Sequence, residues 1–129
     1  MNYKYEKLKL RDCSNIIDSK NRGTLSVCFD GKPYSELVFY DTDCFCGCFI
    51  VYFNICKCGE LIEKINNGSY ASLLITRKCN NEIETVNLEG TLEILEEKED
   101  CCCEKKKDCF KTVKLNIDKI NGRIYYKKC

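Results

Sequence analysis

The sequence contains no histidine and a single proline, and its charges almost cancel. Without histidine, the chain has no imidazole to act as a general base or to bind a metal. With 21 basic and 20 acidic residues, the net charge of +1 argues against a nucleic-acid-binding protein that relies on a basic surface. One proline and seven glycines leave no low-complexity linker, so residues 1–129 are predicted to form a single domain.

Long apolar runs are also missing. No stretch approaches the roughly 20 apolar residues that a membrane-spanning helix needs, and the opening residues MNYKYEKLKLRD lack the apolar core of a secretion signal. We therefore expect a soluble, cytoplasmic protein with no membrane partner and no nucleic-acid partner. The 44% of hydrophobic residues, with eight Tyr and six Phe, indicate a globular fold.

Cysteine, in contrast, is abundant, with thirteen residues. An odd number cannot pair completely within one chain, and a disulfide framework does not suit a chain without a secretion signal. The Cys-x-x-Cys spacing of most zinc and cluster sites does not occur. One interpretation is that cysteine serves as a small apolar residue in a reducing cytoplasm. The other is a metal or cluster held by residues of the 101–109 segment, namely Cys101, Cys102, Cys103 and Cys109; no metal ligand is assigned.

Alternation of apolar and polar residues predicts a mainly β, antiparallel protein. The predicted strands cover residues 24–29, 34–40, 48–53, 70–77, 82–95, 110–118 and 123–126. Residues 30–31 (Asp-Gly) and 121–122 (Asn-Gly) are typical hairpin turns, and residues 41–43 are predicted to turn the chain as well. Gly90, in the middle of a strand, predicts a bulge or a sharp bend.

Helical spacing predicts two helices. The first covers residues 12–20, with Asp12 as its cap, and the second covers residues 58–67. Their predicted core-facing residues are Cys13, Ile16 and Ile17 in the first, and Leu61, Ile62 and Ile65 in the second. Residues 1–10 are interpreted as an arm or an edge segment. Six or seven strands, with one helix between the third and fourth, fit a small closed barrel better than a sandwich.

Four segments resemble, in order, those of the FMN-binding split-barrel superfamily. They are GTLSVCFDGKPYSELVFY (23–40), GELIEKINNGSYASLLI (59–75), VNLEGTLEILEEKE (86–99) and KLNIDKINGRIYY (114–126). This superfamily includes pyridoxamine 5'-phosphate oxidase and the nitroimidazole-resistance flavoproteins, and the last segment is most similar to the latter branch. The resemblance implies an antiparallel, six- to seven-stranded split β-barrel with a short N-terminal helix.

The resemblance also implies a homodimer with two FMN sites at the subunit interface. The isoalloxazine ring would lie against the backbone of residues 36–39, and the phosphate would be held near the start of the second helix, where unpaired amides favour an anion. Arg123 would approach the site from the partner subunit. The cofactor-binding residues expected on this basis are Glu36, Leu37, Val38, Phe39, Asn54, Ile55, Lys57, Gly59 and Arg123.

The chain departs from this pattern where the phosphate would be held. Flavin-binding relatives carry a histidine where Asn54 stands and a basic pair where Glu60 and Leu61 stand. Two basic positions of the oxidase branch are Glu36 and Asp41 here. Carboxylates beside a phosphate dianion are repulsive. On this alignment, Leu61→Lys is expected to tighten FMN binding.

Three functions remain open from the sequence. The first is an FMN-dependent reductase or oxidoreductase that acts on a small acceptor, in which the flavin carries the redox chemistry and no side chain stands out as catalytic. The second is a non-enzymatic split-barrel dimer that has lost the cofactor. The third is a cysteine-rich metal or cluster-binding protein. Cys56 and Cys58, which flank Lys57, are a further candidate redox pair because a helix start favours a thiolate.

Overall fold

The computed structural model describes residues 3–45, 48–57, 59–95 and 110–127. Its elements are β1 (Tyr3–Lys7), α1 (Leu10–Ser19), β2 (Arg22–Phe29), β3 (Lys32–Phe45), β4 (Cys48–Cys56), α2 (Glu60–Glu63), β5 (Tyr70–Cys79), β6 (Glu82–Ile94) and β7 (Phe110–Lys127). The segment 96–109, with its four cysteines, lies outside the described residues, as do Cys46 and Cys58. Within the described ranges, neither helix has the length and apolar character needed to cross a membrane.

The strands form one antiparallel sheet that closes on itself. Their order is β1-β7-β4-β3-β2-β5-β6, and β6 also pairs with β7, which completes a barrel of six strands. β6 occupies one edge of β7 over most of its length. The other edge of β7 pairs first with β4 and, near its end, with β1. The predicted mainly β, antiparallel barrel is therefore confirmed.

The barrel interior is filled by apolar side chains that alternate along the strands. Those less than 2% exposed include Leu25, Val51, Phe53, Leu73, Ile75, Val86, Leu88, Leu92, Val113 and Leu115. α1 contacts β5, β6 and β7, and its buried residues are the predicted Cys13, Ile16 and Ile17. Each such side chain removed from water contributes about 1.5–3 kcal/mol to burial, which makes this alternation the main source of stability.

The predicted bulge at Gly90 is confirmed. Glu89 pairs with Lys119 whereas Gly90 pairs with Ile117, so β7 holds one extra residue at this point. A Cβ atom at position 90 would collide with the carbonyl oxygen of Asn116. Only glycine therefore lets β6 and β7 approach this closely.

The predicted helix at residues 58–67 is wrong in its extent, because α2 contains only Glu60–Glu63. The backbone groups that follow find other partners. The amide of Asn66 donates to Ser69 Oγ at 2.9 Å, and the amide of Gly68 donates to the carbonyl of Leu92 at 2.8 Å. A turn and β6 thus satisfy groups that a longer helix would have used.

Two predicted turns are also wrong. Residues 41–43 continue β3, because Asp41 and Asp43 pair with Tyr52 and Ile50 of β4. Residues 121–122 continue β7, because they pair with residues 86–87 of β6. The two strands predicted at the end of the chain are therefore one. The seventh strand is β1, the segment interpreted from the sequence as an arm or an edge segment.

The start of α1 differs from the prediction as well. The helix begins at Leu10 with Lys9 as its N-cap, and no side chain caps it. Asp12 lies in the first turn instead, where its negative charge interacts favourably with the helical amides that have no hydrogen-bond partner.

Candidate functional site

β3 and β4 pair over only part of their length, from their hairpin end to Tyr40 and Phe53. Beyond Tyr40, residues 36–39 of β3 remain paired with β2. Beyond Phe53, residues 54–56 of β4 remain paired with β7. Because β2 and β7 hold the two strands on opposite sides, the barrel wall separates between these segments.

A cavity of about 230 Å³ lies at this separation. It is lined by Glu36, Leu37, Val38, Phe39, Asn54, Ile55, Cys56 and Phe110. Val38 and Ile55 are 4% and 2% exposed and close the cavity towards the core. Leu37, Phe39 and Phe110 are each more than half exposed and form an apolar rim. The cavity can therefore shelter a flat apolar group on one side of the barrel.

Both walls of the cavity are strand edges. Along a strand, N–H and C=O groups point alternately to the two neighbouring positions in the sheet. Part of the backbone groups of residues 36–39 consequently point into the separation, where no strand of the described chain pairs with them. An aromatic heterocycle with donors and acceptors on its edge would satisfy such groups.

Asn54 adds a side-chain amide to the same opening. Its Oδ1 accepts a hydrogen bond of 3.1 Å from Thr112 Oγ1 on β7. This bond orients the carboxamide and uses one of the two acceptor positions of its oxygen. In the described part of the chain, no residue accepts from the amide nitrogen of Asn54, which leaves its N–H groups for a ligand carbonyl.

Glu36 gives one end of the cavity a negative charge. A Cβ atom built on Gly59 would lie 3.9 Å from Glu36 Oε1, so this carboxylate faces the turn that leads into α2. α2 itself begins with Glu60 and also carries Glu63. Lys64, which follows α2, has its Nζ 5.0 Å and 5.1 Å from two aromatic ring centroids, in cation–π contacts. Among the described residues that line the cavity there is no cation.

Six of the nine predicted cofactor-binding residues line this one cavity: Glu36, Leu37, Val38, Phe39, Asn54 and Ile55. Gly59 lies beside it, next to the Glu36 carboxylate. Lys57 follows β4 in the turn before α2 and is not among the described lining residues. The structure thus brings most of the predicted set together, while their binding roles stay predictions.

Arg123 lies elsewhere on the same chain. It lines a groove of about 420 Å³ formed by outward-facing residues of β2, β5, β6 and β7. Its Nη1 donates to the hydroxyl of Tyr125, which raises the pKa of Arg123, and its guanidinium lies 4.7 Å from the ring centroid of Tyr5. Its expected approach to a partner's cofactor remains a prediction.

Leu61 does not occupy the ligand-facing position that the resemblance suggested. Its side chain is 3% exposed, because α2 packs against β3 and β4. The expectation that Leu61→Lys tightens FMN binding does not suit this geometry, because the variant would bury an ammonium group in the core.

Two lining residues, Cys56 and Phe110, were absent from the predicted set of cofactor-binding residues. They are paired across β4 and β7 although 54 positions separate them in the chain. No local pattern in the sequence indicates this pairing, and only the register of the two strands brings the two residues to the cavity.

The four described cysteines whose side chains can be placed are all free: Cys13, Cys28, Cys56 and Cys79. Cys13 fits the interpretation of cysteine as an apolar core residue, and burial, followed by the nearby Asp12 charge, raises its pKa. Cys28 and Cys79 are exposed. No cluster of three metal-ligating side chains occurs among the described residues, and the cysteines of the metal hypothesis lie outside them.

The closed, split arrangement of strands is shared with several solved structures. An FAD-binding protein from Mesorhizobium loti superposes with a TM-score of 0.75 at 16% identity, covering 98% of this chain and 100% of that one. A candidate pyridoxamine 5'-phosphate oxidase from Corynebacterium glutamicum gives 0.73 at 14% identity, covering 96% and 100%. A candidate 5-nitroimidazole antibiotic resistance protein from Bacteroides thetaiotaomicron gives 0.69 at 14% identity, covering 97% and 90%.

These likenesses define the class of fold: the chain is a split β-barrel like those three proteins. The resemblance read from the four sequence segments is thereby confirmed at the level of fold. No protein-family model matches the chain, and no curated protein matches it.

Proposed function

We propose that the chain is a flavin-binding protein and that the isoalloxazine ring lies in the cavity between residues 36–39 and residues 54–56. The observation that carries this proposal is the pair of open strand edges behind an apolar rim. The description of a split-barrel neighbour as FAD-binding supports the same ligand class.

The residues of the cavity fit the ring part of a flavin. Leu37, Phe39 and Phe110 offer contacts to its apolar benzenoid side. The Asn54 amide and the open backbone edge offer hydrogen bonds to its polar pyrimidine side. The bound flavin would supply redox chemistry for a small acceptor, which makes an oxidoreductase the finer proposal, and the chain's own residues would orient the ring and exclude water.

The phosphate of FMN, in contrast, finds no cation among the described residues that line the cavity, although Lys57 lies in the adjoining turn before α2. The α2 end of the cavity carries the Glu36 carboxylate, and the described lining residues provide no cation to balance a dianion. The lining residues by themselves therefore do not favour FMN, the flavin expected from the resemblance, over a flavin without a phosphate.

The proposed functional unit is a homodimer. Leu37, Phe39 and Leu74 are exposed by 57%, 57% and 43% on the outer face of the barrel. Leu37 and Leu74 both pair with Thr24, from β3 and β5 respectively, so they flank it on the sheet. A second copy of the chain would cover these side chains and could bring Arg123 towards the neighbouring cavity.

A split-barrel dimer without cofactor is the second candidate, and the Glu36 carboxylate in the cavity lining favours it. Titration of the purified chain with riboflavin and with FMN, followed by flavin fluorescence, separates the two candidates. We expect at least one of these two flavins to bind, with a stoichiometry of one flavin per chain. If neither binds, the flavin proposal fails and the cofactor-less dimer stands.

A matched pair of variants locates the site. Cys56→Phe places a ring inside the cavity and should weaken flavin binding at least about tenfold, because the ring and the flavin compete for one space. Cys28→Phe makes the same change at an exposed position of β2, outside the cavity, and should leave the affinity unchanged. Equal effects of the two substitutions would place the flavin elsewhere.

A further inference from the structure

We infer that a separate cavity, beside the turn between β5 and β6, binds a small aromatic phosphate of the size of a mononucleotide. This cavity has a volume of about 320 Å³ and is lined by Tyr3, Lys78, Asn80, Asn81, Ile83 and Lys127. None of these residues lines the cavity between β3 and β4 or the groove that contains Arg123. The inference is therefore independent of the proposed flavin site.

The register of four strands brings the lining residues together. Tyr3 on β1 pairs with Lys127 on β7, and Lys78 on β5 pairs with Ile83 on β6. Ile83 also pairs with Tyr125, two residues before Lys127. Because directly paired residues point to the same side of a sheet, these side chains share the outer face of the barrel.

The polar part of the lining suits a phosphate. Lys78 and Lys127 are exposed, and in the described part of the chain neither ammonium group has an ion pair or a hydrogen bond. The carboxamides of Asn80 and Asn81 add N–H donors to the same cavity. Two ammonium groups beside two amides match the double negative charge and the acceptor oxygens of a phosphate monoester.

The outer face around the cavity carries further positive charge. Lys7 on β1 lies directly opposite Arg123 on β7, and Arg123 contacts Tyr5 and Tyr125 rather than a carboxylate. No acidic residue occurs among the outward-facing positions of these strands, which are 3, 5 and 7 of β1, 74, 76 and 78 of β5, 83, 85 and 87 of β6, and 121, 123, 125 and 127 of β7.

The neighbouring carboxylates of β6 do not neutralise this charge. Glu82 and Glu84 alternate with Ile83 and so point to the opposite side of the strand, where Glu84 forms an ion pair of 2.9 Å with Arg77. The first carboxylate on the outer side of β6 is Glu89, which lies roughly 20 Å from Ile83 along the strand.

β1 is divided in the same way. Lys4 and Glu6 alternate with the tyrosines and point to the opposite side, and Glu6 accepts a hydrogen bond of 3.1 Å from the hydroxyl of Tyr126. The charge that faces the cavity is therefore positive on each of the strands packed around it.

The remaining lining residues favour an aromatic group on the phosphate. The ring of Tyr3 is 51% exposed and, with Ile83, forms an apolar wall on which a base can stack. The volume lies at the lower end of the roughly 300–1,000 Å³ of small-molecule sites, which suits a mononucleotide rather than a dinucleotide.

The probes are AMP, adenosine and inorganic phosphate, each titrated into the full chain by calorimetry. We expect one AMP per chain, bound at least about tenfold more tightly than adenosine, which lacks the charge, and than phosphate, which lacks the base. Raising the salt concentration from about 50 mM to about 300 mM should weaken AMP binding, because salt screens the attraction.

Matched variants locate the nucleotide. Lys78→Gln and Lys127→Gln should each weaken AMP binding about fivefold, because each removes one of the two cations. Lys32→Gln, at an exposed lysine of β3 outside this cavity, should leave it unchanged. Tyr3→Ala should weaken the binding of AMP but not that of inorganic phosphate.

Cys56→Phe separates this site from the cavity between β3 and β4, because it fills only the latter. AMP binding that is lost in Cys56→Phe but unchanged in both lysine variants would overturn the inference. Absence of saturable AMP binding at millimolar concentration would also overturn it, and neither result would bear on the flavin proposal.

Discussion

Tyr40 is a polar residue whose hydroxyl group lies in the interior, between the barrel and α1. It is 4% exposed, and its hydroxyl donates a 2.7 Å hydrogen bond to the carbonyl of Ile17. Ile17 lies in the last turn of α1, where carbonyl groups have no partner within the helix. Burial, with a smaller contribution from Asp18, raises the pKa of Tyr40 to about 12.

This raised pKa predicts a loss of stability at high pH. Between about pH 10 and pH 12 the unfolded chain releases the Tyr40 proton while the folded chain retains it, so the folded state binds more protons. This stabilisation of the folded state amounts to about 2–3 kcal/mol. It is present below about pH 10 and is lost as the pH rises through about 12.

Urea unfolding of the natural chain and of Tyr40→Phe at about pH 9 and about pH 11.5 measures this contribution. The natural chain should lose about 2 kcal/mol more between the two pH values than the variant does. At neutral pH the variant should be about 1 kcal/mol less stable, because the Ile17 carbonyl loses its partner. Equal losses in the two proteins at high pH would contradict the assignment.

At the scale of elements, α1 is anchored to β7 through a glycine. Gly122 is buried in β7, and its carbonyl accepts a 2.9 Å hydrogen bond from the amide of Leu8. A Cβ atom at position 122 would meet Cys13 Sγ and would lie 3.0 Å from Leu8 Cβ. The missing side chain therefore makes room for the first turns of α1.

Gly122→Ala should lower the free energy of unfolding by about 1–3 kcal/mol, because it overpacks the contact between α1 and β7. Adding Cys13→Ala removes the sulfur that the new methyl group meets, so the double variant should be more stable than the sum of the single effects predicts, by about 1 kcal/mol. Denaturant unfolding of the four proteins gives this coupling.

Gly59→Ala is the matched control for Gly122→Ala. Its Cβ would meet nothing closer than 3.4 Å, and its backbone φ of −82° suits any residue. It should therefore cost less than about 1 kcal/mol. Additive effects of Gly122→Ala and Cys13→Ala would show that the methyl group and the sulfur do not compete for the same space.

At the scale of the whole molecule, the exposed leucines of the outer face predict self-association. Leu74→Glu places a charge between two copies that meet on this face and should turn a dimer into a monomer, as measured by light scattering. Leu10→Glu makes the same change at a leucine that is 65% exposed at the start of α1, where an acidic residue is favourable. That control should remain a dimer.

A monomeric natural chain at micromolar concentration would contradict the proposed dimer. A Leu74→Glu protein that remains dimeric, with an unchanged far-ultraviolet circular dichroism spectrum, would place the interface on another face of the barrel. Neither result would affect the cavity between β3 and β4, because it is lined by residues of a single chain. Each result would remove only the proposed contribution of Arg123 from a partner subunit.

Features that depend only on neighbouring residues follow from the amino-acid sequence alone. The alternation of Leu25 and Val27 predicted a strand with one buried face, and Asp30 and Gly31 have the positive φ angles of 52° and 75° that their hairpin turn needs. The bulge that was predicted from Gly90 is present at that residue. Such features need only the local periodicity of side chains and the backbone freedom of particular residues.

Hydrogen-bond partners that lie far apart in the chain, in contrast, are set by the tertiary structure. Residues 121–122 have a turn sequence, yet β6 pairs with them and keeps β7 continuous. Residues 64–67 continue the helical spacing of the sequence, yet a turn and β6 take up the backbone amides of Asn66 and Gly68. The cavity itself exists because β2 holds β3 and β7 holds β4 beyond the point where β3 and β4 stop pairing. The resemblance of the four sequence segments predicted six of the eight residues that line the cavity, but the opening between them depends on competition among four strands for the same backbone groups.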